Sequence, residues 1–165
     1  MISFMKKYFP LFIDISEKNL LVVGGGNIAF RRINILTDFN PFIKVIARKV
    51  DKRIVDLKIT YKKMEIFERE LCEDDFKDVD IILAATDDKK INQNIADEAK
   101  KRNIIVNDCS YKDNCDFYFP GIINKDSLVI GVCASGTNHK LVAETVELIK
   151  GKIENIFKDK GKNNV

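Results

Sequence analysis

Three glycine-loop positions carry the plainest chemical signal in this sequence. Gly24, Gly26 and Ala29, within LLVVGGGNIA, fit the spacing G-x-G-x-x-G/A and follow directly on the apolar run 20–23. In that pattern Gly24 allows a tight turn, Gly26 lets backbone approach a pyrophosphate, and Ala29 keeps the following helix close to its strand. Phosphates would then lie at a helix N-terminus, where free backbone N–H groups and the helix dipole favour negative charge. A P-loop is excluded, because Gly26 is followed by Asn27, Ile28, Ala29 and Phe30 rather than by Gly-Lys-Ser/Thr after a four-residue spacer. Glycine clusters also end strands for purely conformational reasons, so position matters: this one lies between a strand-like run and a helix-like one.

The same geometry gives work to other places. In a doubly wound sheet ligands bind at the carboxyl ends of the strands, and an acidic residue about 20 residues beyond the glycines commonly holds the ribose 2′-hydroxyl of NAD. Here that position, at the end of the run 42–47, carries Arg48 and Lys49. Two bases there either welcome a 2′-phosphate, and hence NADP, or are surface residues that meet a cofactor through backbone alone. The run 80–85 ends in Thr86 and Asp87, which should lie close to the glycine loop; Asp87 also suits the cap of the next helix. His139 is the single histidine and has no visible partner, so it has no defined proton path and reads as a surface residue at a helix start.

Positioning these residues takes an alternating set of elements. Residues 8–15, YFPLFIDI, read as a short extended segment that Pro10 limits to a sheet edge. The run 20–23, short and rich in branched residues, suits a strand buried on both faces of a parallel sheet. Ile28, Ala29, Ile33, Leu36 and Phe39 recur at helical spacing until Asn40-Pro41 stops the helix. Residues 42–47 make a second strand, 50–57 a short helix, 59–63 a third strand, 70–80 a loop with a helical turn, and 80–85 a fourth strand. Ile91, Ile95 and Ala99 mark one face of the next helix, and 104–106 form a fifth strand. Then the alternation changes. Residues 116–124 and 127–133 are extended segments joined by Lys125-Asp126, a hairpin outside the parallel sheet. A lone hairpin is marginal in water, so this one should add to another sheet or a second subunit, which implies a dimer. Ser135-Gly136-Thr137 turns into a final helix capped by Thr137 or Asn138, carrying Leu141, Val142, Val146, Ile149, Ile153 and Ile156, with a frayed polar end from about Lys158.

Bulk properties bound the function. A chain of 165 residues suits one good core, or one domain with a smaller appendage. No apolar run approaches the roughly 20 residues needed to cross a bilayer, and MISFMKKYFPLFI lacks the ordered segments of a signal peptide, so a cytoplasmic location is expected. A net charge of +3, from 28 basic and 25 acidic residues, is too balanced to argue for nucleic acid. Cys72, Cys109, Cys115 and Cys133 form no C-x-x-C pair, so neither a structural zinc nor a disulfide is expected.

Six stretches together carry a resemblance. YFPLFIDI, LLVVGGGNIAFRR, LAATDD, the IIVND segment, CDFYFPGII and CASGT cover most of residues 8–150 in order. On them the chain resembles the precorrin-2 dehydrogenase family, which includes bifunctional dehydrogenase/ferrochelatases and the N-terminal part of siroheme synthase. The resemblance implies an α/β fold: a Rossmann-like parallel sheet over residues 1–113, a β-hairpin dimerisation segment over 114–137, and a shortened C-terminal helical segment over 138–165. Members use NAD to dehydrogenate precorrin-2 to sirohydrochlorin, and some then insert ferrous iron; the same product can feed cobalamin synthesis. Carried over residue by residue, the nucleotide lies against Gly24, Gly25, Gly26, Asn27 and Ile28, the strand end at Arg48 and Lys49, and the strand end at Thr86 and Asp87. The family usually places an aspartate a few residues after the fifth strand, where it assists proton removal or chelation. Here that position is Ser110, so the catalytic candidates are Ser110 and its neighbour Asp108, with Asp113 a further carboxylate close by. Serine is a poor general base without a partner. Arg31 and Arg32 are candidates for holding the substrate's carboxylates, although a solvated helix face explains them more simply.

The leading expectation is therefore an NAD-dependent dehydrogenase of a reduced tetrapyrrole, forming a homodimer, with NADP left open and metal chelation a less favoured second activity. The alternative is a nucleotide-binding regulatory module that has kept the glycine loop without catalysis.

Overall fold

The computed structural model describes the backbone of residues 8–162 and the side chains of residues 8–154. One compact unit, Phe12–Phe117, is built on five parallel strands in the order β3-β2-β1-β4-β5, the Rossmann-like sheet that the sequence leads one to expect. β1 (Asn19–Val23) lies in the middle, in parallel register with β2 (Phe42–Ala47) and with β4 (Ile81–Ala84); β3 (Met64–Glu68) and β5 (Ile105–Asp108) are the outer strands. Strands filled with Leu, Ile and Val on both faces need cover on both. On one face Leu21, Val23, Ile82 and Ala84 pack with Phe76 and with Ile95, Ala96 and Ala99 of α3 (Lys89–Lys101). On the other face Leu20, Val22, Ile43 and Val45 are equally buried, as are Ala29 and Ile33 of α1 (Asn27–Leu36) and Ile54 of α2 (Lys52–Thr60). The strand order reverses between β1 and β4, which is where such sheets open a crevice.

Several elements differ from the sequence expectation. Residues 8–15 form no strand, and Phe9, Leu11 and Phe12 are exposed. The third strand is Met64–Glu68 rather than residues 59–63: the Asp51 carboxylate accepts from the Arg53 N–H and starts α2 two residues later than expected, so the helix runs on through Ile59 and Thr60. Those two residues favour strands by propensity, and helical context overrides them. The fifth strand reaches Asp108. Residues 116–120 are not a strand; instead Asp116 lines the outer edge of β5, its backbone N–H donating to the Val106 carbonyl and its carboxylate accepting from the Val106 N–H, both at 2.9 Å.

Among the described residues, the second unit gathers 8–11 with 118–162. β6 (Gly121–Lys125) and β7 (Leu128–Val132) form an antiparallel hairpin whose turn is Asp126-Ser127, one residue later than expected, with Asp126 at φ +52. Its inner side packs Ile123, Ile130 and Val132 against Val142, Val146, Ile149 and Ile153 of α4 (His139–Lys162). Asn138 caps this helix by accepting from the Leu141 N–H, and His139 is exposed at its first turn, as expected. α4 continues past Lys158 to Lys162; the Ile156 side chain and residues 163–165 lie outside the described parts. Among the described residues no helix is long and apolar enough to cross a membrane.

One ion pair holds the loop after β3. Asp75 is buried, and the Arg69 guanidinium donates to both its carboxylate oxygens at 2.7 Å, while Cys72 donates through its backbone N–H at 2.9 Å. Together these bonds close the turn Glu73–Phe76 that plants Phe76 in the core. Arg69 at its carboxylate, more than the opposing effect of burial, holds the Asp75 carboxyl well below its ordinary value of 3.8. A depressed carboxyl contributes stability that is complete above its unfolded value and is lost as the pH falls below it. We therefore expect Asp75→Asn to lower the unfolding free energy at pH 7 by about 2 kcal/mol, a magnitude reduced by the half-open position of Arg69. Denaturant titrations across pH 2–7 should show the variant with a visibly flatter acid limb below about pH 4.

Candidate functional site

The carboxyl ends of β1, β2 and β4 surround one cleft, whose volume of about 1130 Å³ exceeds the roughly 300–1,000 Å³ common for small-ligand sites. Residues 24–28, Arg48, Lys49, Thr86 and Asp87 all line it. Its floor depends on close backbone approach. Gly24 takes φ +120, and a Cβ there would lie 2.3 Å from the Ala85 carbonyl oxygen; no other residue fits. Gly25 is similarly confined, since a Cβ would meet the Lys49 carbonyl at 2.4 Å. Gly26 is different. It is exposed, its φ of −90 suits any residue, and a Cβ would find no protein atom within 4 Å. The protein's own packing gives no reason for this glycine, whereas a ligand lying against its backbone does.

Gly26 is also the N-cap of α1, which has no side-chain cap and no acid in its first turn. Its leading N–H groups face the cleft end of the sheet with no side chain accepting from them, in contrast to α2 and α3, which Asp51 and Asp88 cap. Such a helix start attracts anions. The Asn27 side chain accepts from Arg53 Nη2 at 3.1 Å, and Arg53 is in turn fixed by the Asp51 carboxylate and by the Phe30 ring beneath it. That arginine's hydrogen bonds hold the Asp51 carboxyl down to about 2. Ile28 presents a half-exposed apolar side chain to the cleft. These features fit a dinucleotide, with backbone N–H groups for phosphate and apolar walls at Ile28, Leu71 and Phe76.

At the end of β2 the sequence shows two bases, and the structure adds a counter-charge for the first of them. Arg48 is ion-paired to Glu70, with Nη2 and Nε at 2.9 and 3.1 Å from Oε1. At the end of β4, Asp88 rather than Asp87 caps α3, its carboxylate accepting from the backbone N–H groups of Lys90 and Ile91. Asp87 is exposed and lines the cleft.

Ser110 and Asp108 do not line this cleft; one buried side chain links them to it. The Asn92 amide, fully buried, accepts from the Thr86 N–H and hydroxyl at 3.1 and 2.7 Å and donates to the Thr86 carbonyl at 3.1 Å. Its remaining N–H donates to Ser110 Oγ at 3.2 Å. Ser110 Oγ donates in turn to Asp108 Oδ1 at 2.6 Å. Asp108 is buried and also accepts from the backbone N–H groups of Ser110 and Tyr111 and from Asn114 Nδ2. Serine thus has the carboxylate partner that sequence alone does not reveal. Asp113 has no part in this network. The signal for Asn92 was legible: it sits in helical register with Ile95, Ala96 and Ala99 on the buried stripe of α3, where a polar residue needs partners.

Arg32 departs from the solvated face expected of it. Its guanidinium is largely buried, which pushes its pKa down, while the nearby thiols of Cys109 and Cys115 act in the opposite sense. Burial pushes both thiols up, so neither is an activated nucleophile. Arg31 is exposed.

Comparison with known proteins agrees with this picture. The sequence model of a family described as "Putative NAD(P)-binding" matches residues 11–121. The siroheme synthase of Ruthia magnifica subsp. Calyptogena magnifica is 35% identical over 147 residues, which are 89% of this chain and 30% of that protein. A multifunctional siroheme biosynthesis protein of Ruminiclostridium josui is 35% identical over 143 residues, 86% of this chain and 28% of that one. The chain thus spans less than a third of the length of these curated relatives. A solved structure titled SirC, precorrin-2 dehydrogenase, superposes with a TM-score of 0.73 at 24% identity, covering 88% of this chain and 71% of that one. The resemblance read from the six stretches is borne out.

Gly24 and Gly26 should separate folding from binding. We expect Gly24→Ala to destabilise the unit by about 3 kcal/mol or more, since the strain and the clash fall on backbone. Gly26→Ala should leave the melting temperature nearly unchanged yet weaken NAD+ binding at least about tenfold, as read by calorimetry.

Proposed function

This chain belongs to the NAD(P)-binding family whose sequence model it matches, and on that premise we propose that it is an NAD-dependent dehydrogenase converting precorrin-2 to sirohydrochlorin on the route to siroheme. The observation that carries the nucleotide half is Gly26: a glycine with open space beside it at an uncapped helix start. The substrate half is supported by relatives named as siroheme synthases and by the fold shared with a solved precorrin-2 dehydrogenase.

When bound, the cofactor supplies the hydride acceptor. The chain's own residues bind and orient. Backbone N–H groups of residues 26–28 hold the pyrophosphate, and Thr86, fixed through three hydrogen bonds to Asn92, sets the far wall. Ser110 Oγ donates to Asp108 and accepts from Asn92, which leaves one lone pair free to accept a hydrogen bond from the macrocycle. Asp108 receives four donors, which fix its side chain in place beside Ser110. It therefore serves to keep the Ser110 hydroxyl turned as an acceptor, and the released proton passes on to water. Metal insertion is outside this proposal, because a serine stands where the resemblance places an aspartate. The reading includes a cytoplasmic homodimer, for which the two-stranded hairpin, joined to no other strand among the described residues, offers the contact.

Anaerobic incubation of the purified chain with precorrin-2 and NAD+, following sirohydrochlorin by absorbance, with NADP+ in parallel, tests this directly. Product should form with NAD+. Ser110→Ala should retain nucleotide binding and lower kcat by about tenfold or more, with little change in KM. Absence of product from protein that binds the nucleotide would favour the regulatory module instead.

A further inference from the structure

We infer that Glu70 makes this cleft select NAD over NADP, an inference that rests on the dinucleotide reading and deepens it. The end of β2 alone leaves the choice open: Arg48 and Lys49 occupy the place where an acid usually receives the ribose hydroxyl. The missing acid arrives from the neighbouring strand. β3 pairs with β2, and Glu70 lies two residues beyond its end, on the same side of the sheet as the cleft. One oxygen of its carboxylate, Oε1, takes both Nη2 and Nε of Arg48. The other, Oε2, has no protein partner among the described residues and is left to accept from a ribose hydroxyl.

The remaining charges at this lip point the same way. The second guanidinium, Arg69, spends both terminal nitrogens on buried Asp75. The cleft lining carries three basic side chains, Arg48, Lys49 and Arg69, against the four carboxylates of Glu70, Glu73, Asp87 and Glu98. Arg102, outside the lining, holds Glu73 and Glu98. That leaves no surplus of positive charge for a phosphate. Arg48 and Glu70 are each 73% exposed, so their pair is weak in itself. Its effect on selectivity does not depend on its strength: a 2′-phosphate that draws Arg48 away still meets the Glu70 carboxylate at close range, whereas a hydroxyl meets an acceptor.

Calorimetric titration of the chain with NAD+ and with NADP+, at one fixed ionic strength, tests this. The wild type should bind NAD+ more tightly. Glu70→Gln should shift the NAD+/NADP+ affinity ratio about tenfold towards NADP+, the order expected when one like charge is removed beside a phosphate at a solvent-exposed lip. The double variant Arg48→Ala/Glu70→Gln should lose that gain, because the freed arginine is what receives the phosphate. A shift below threefold in Glu70→Gln, a gain that survives in the double variant, or a wild-type preference for NADP+ would overturn the inference while leaving the dinucleotide site intact. Failure of the wild type to bind either nucleotide would overturn both.

Discussion

The close approach of the carboxyl ends of β1 and β4 is the constraint on which the candidate site depends. The Ala85 N–H donates to the Val23 carbonyl at 2.8 Å, the Gly24 N–H donates to the Ile46 carbonyl at 2.9 Å, and a single methyl group at position 24 would collide with Ala85 backbone. Three strand ends thus converge within one hydrogen-bonded patch, and the chain must leave β1 through a left-handed turn before α1 can begin. That exit points the uncapped start of α1 into the crevice where the strand order reverses. An anion placed there would be held by topology and one glycine rather than by any charged side chain.

Buried polar side chains then tie that crevice to its surroundings. Asn92 spends its amide on Thr86 at the cleft wall and on Ser110 beyond it, so two strand ends are held in fixed relation by one side chain. Asp75 does the equivalent for the loop after β3, drawing Arg69 inward and setting Phe76 in the core. Buried groups of this kind are costly unless every donor and acceptor is used, and these two are saturated. The result is a cleft whose wall is pinned by hydrogen bonds and whose outer lip, at Arg48 and Glu70, is solvent-exposed.

Much of this was legible in the sequence, for physical reasons that differ by element. β1, β2 and β4 are buried on both faces, so they show as apolar runs with sharp ends, and residues 42–47 were placed to the residue. β3 is an edge strand reading Met-Glu-Ile-Phe-Glu, half polar, and the branched residues 59–60 just before it imitate a strand better than it does. Asp87 and Asp88 are equivalent as letters, and only backbone geometry shows that the second caps α3. The hairpin's first strand begins five residues later than the extended pattern suggests, because residues 116–120 are used along the edge of β5 and in the passage to the second unit. Pairings between distant positions were beyond reach: Arg48 with Glu70, 22 residues apart, and Asn92 with Ser110, 18 apart, are set by strand order. The glycine loop was the reverse case, since its spacing encodes the turn itself.

The most direct test of the account is a crystal structure of the chain grown with saturating NAD+. A diphosphate is expected within hydrogen-bonding distance of the backbone N–H groups of residues 26–28, with the Thr86–Asn92–Ser110 linkage preserved. A nucleotide bound elsewhere on the chain, or an empty cleft in crystals of protein that binds NAD+ in solution, would contradict it.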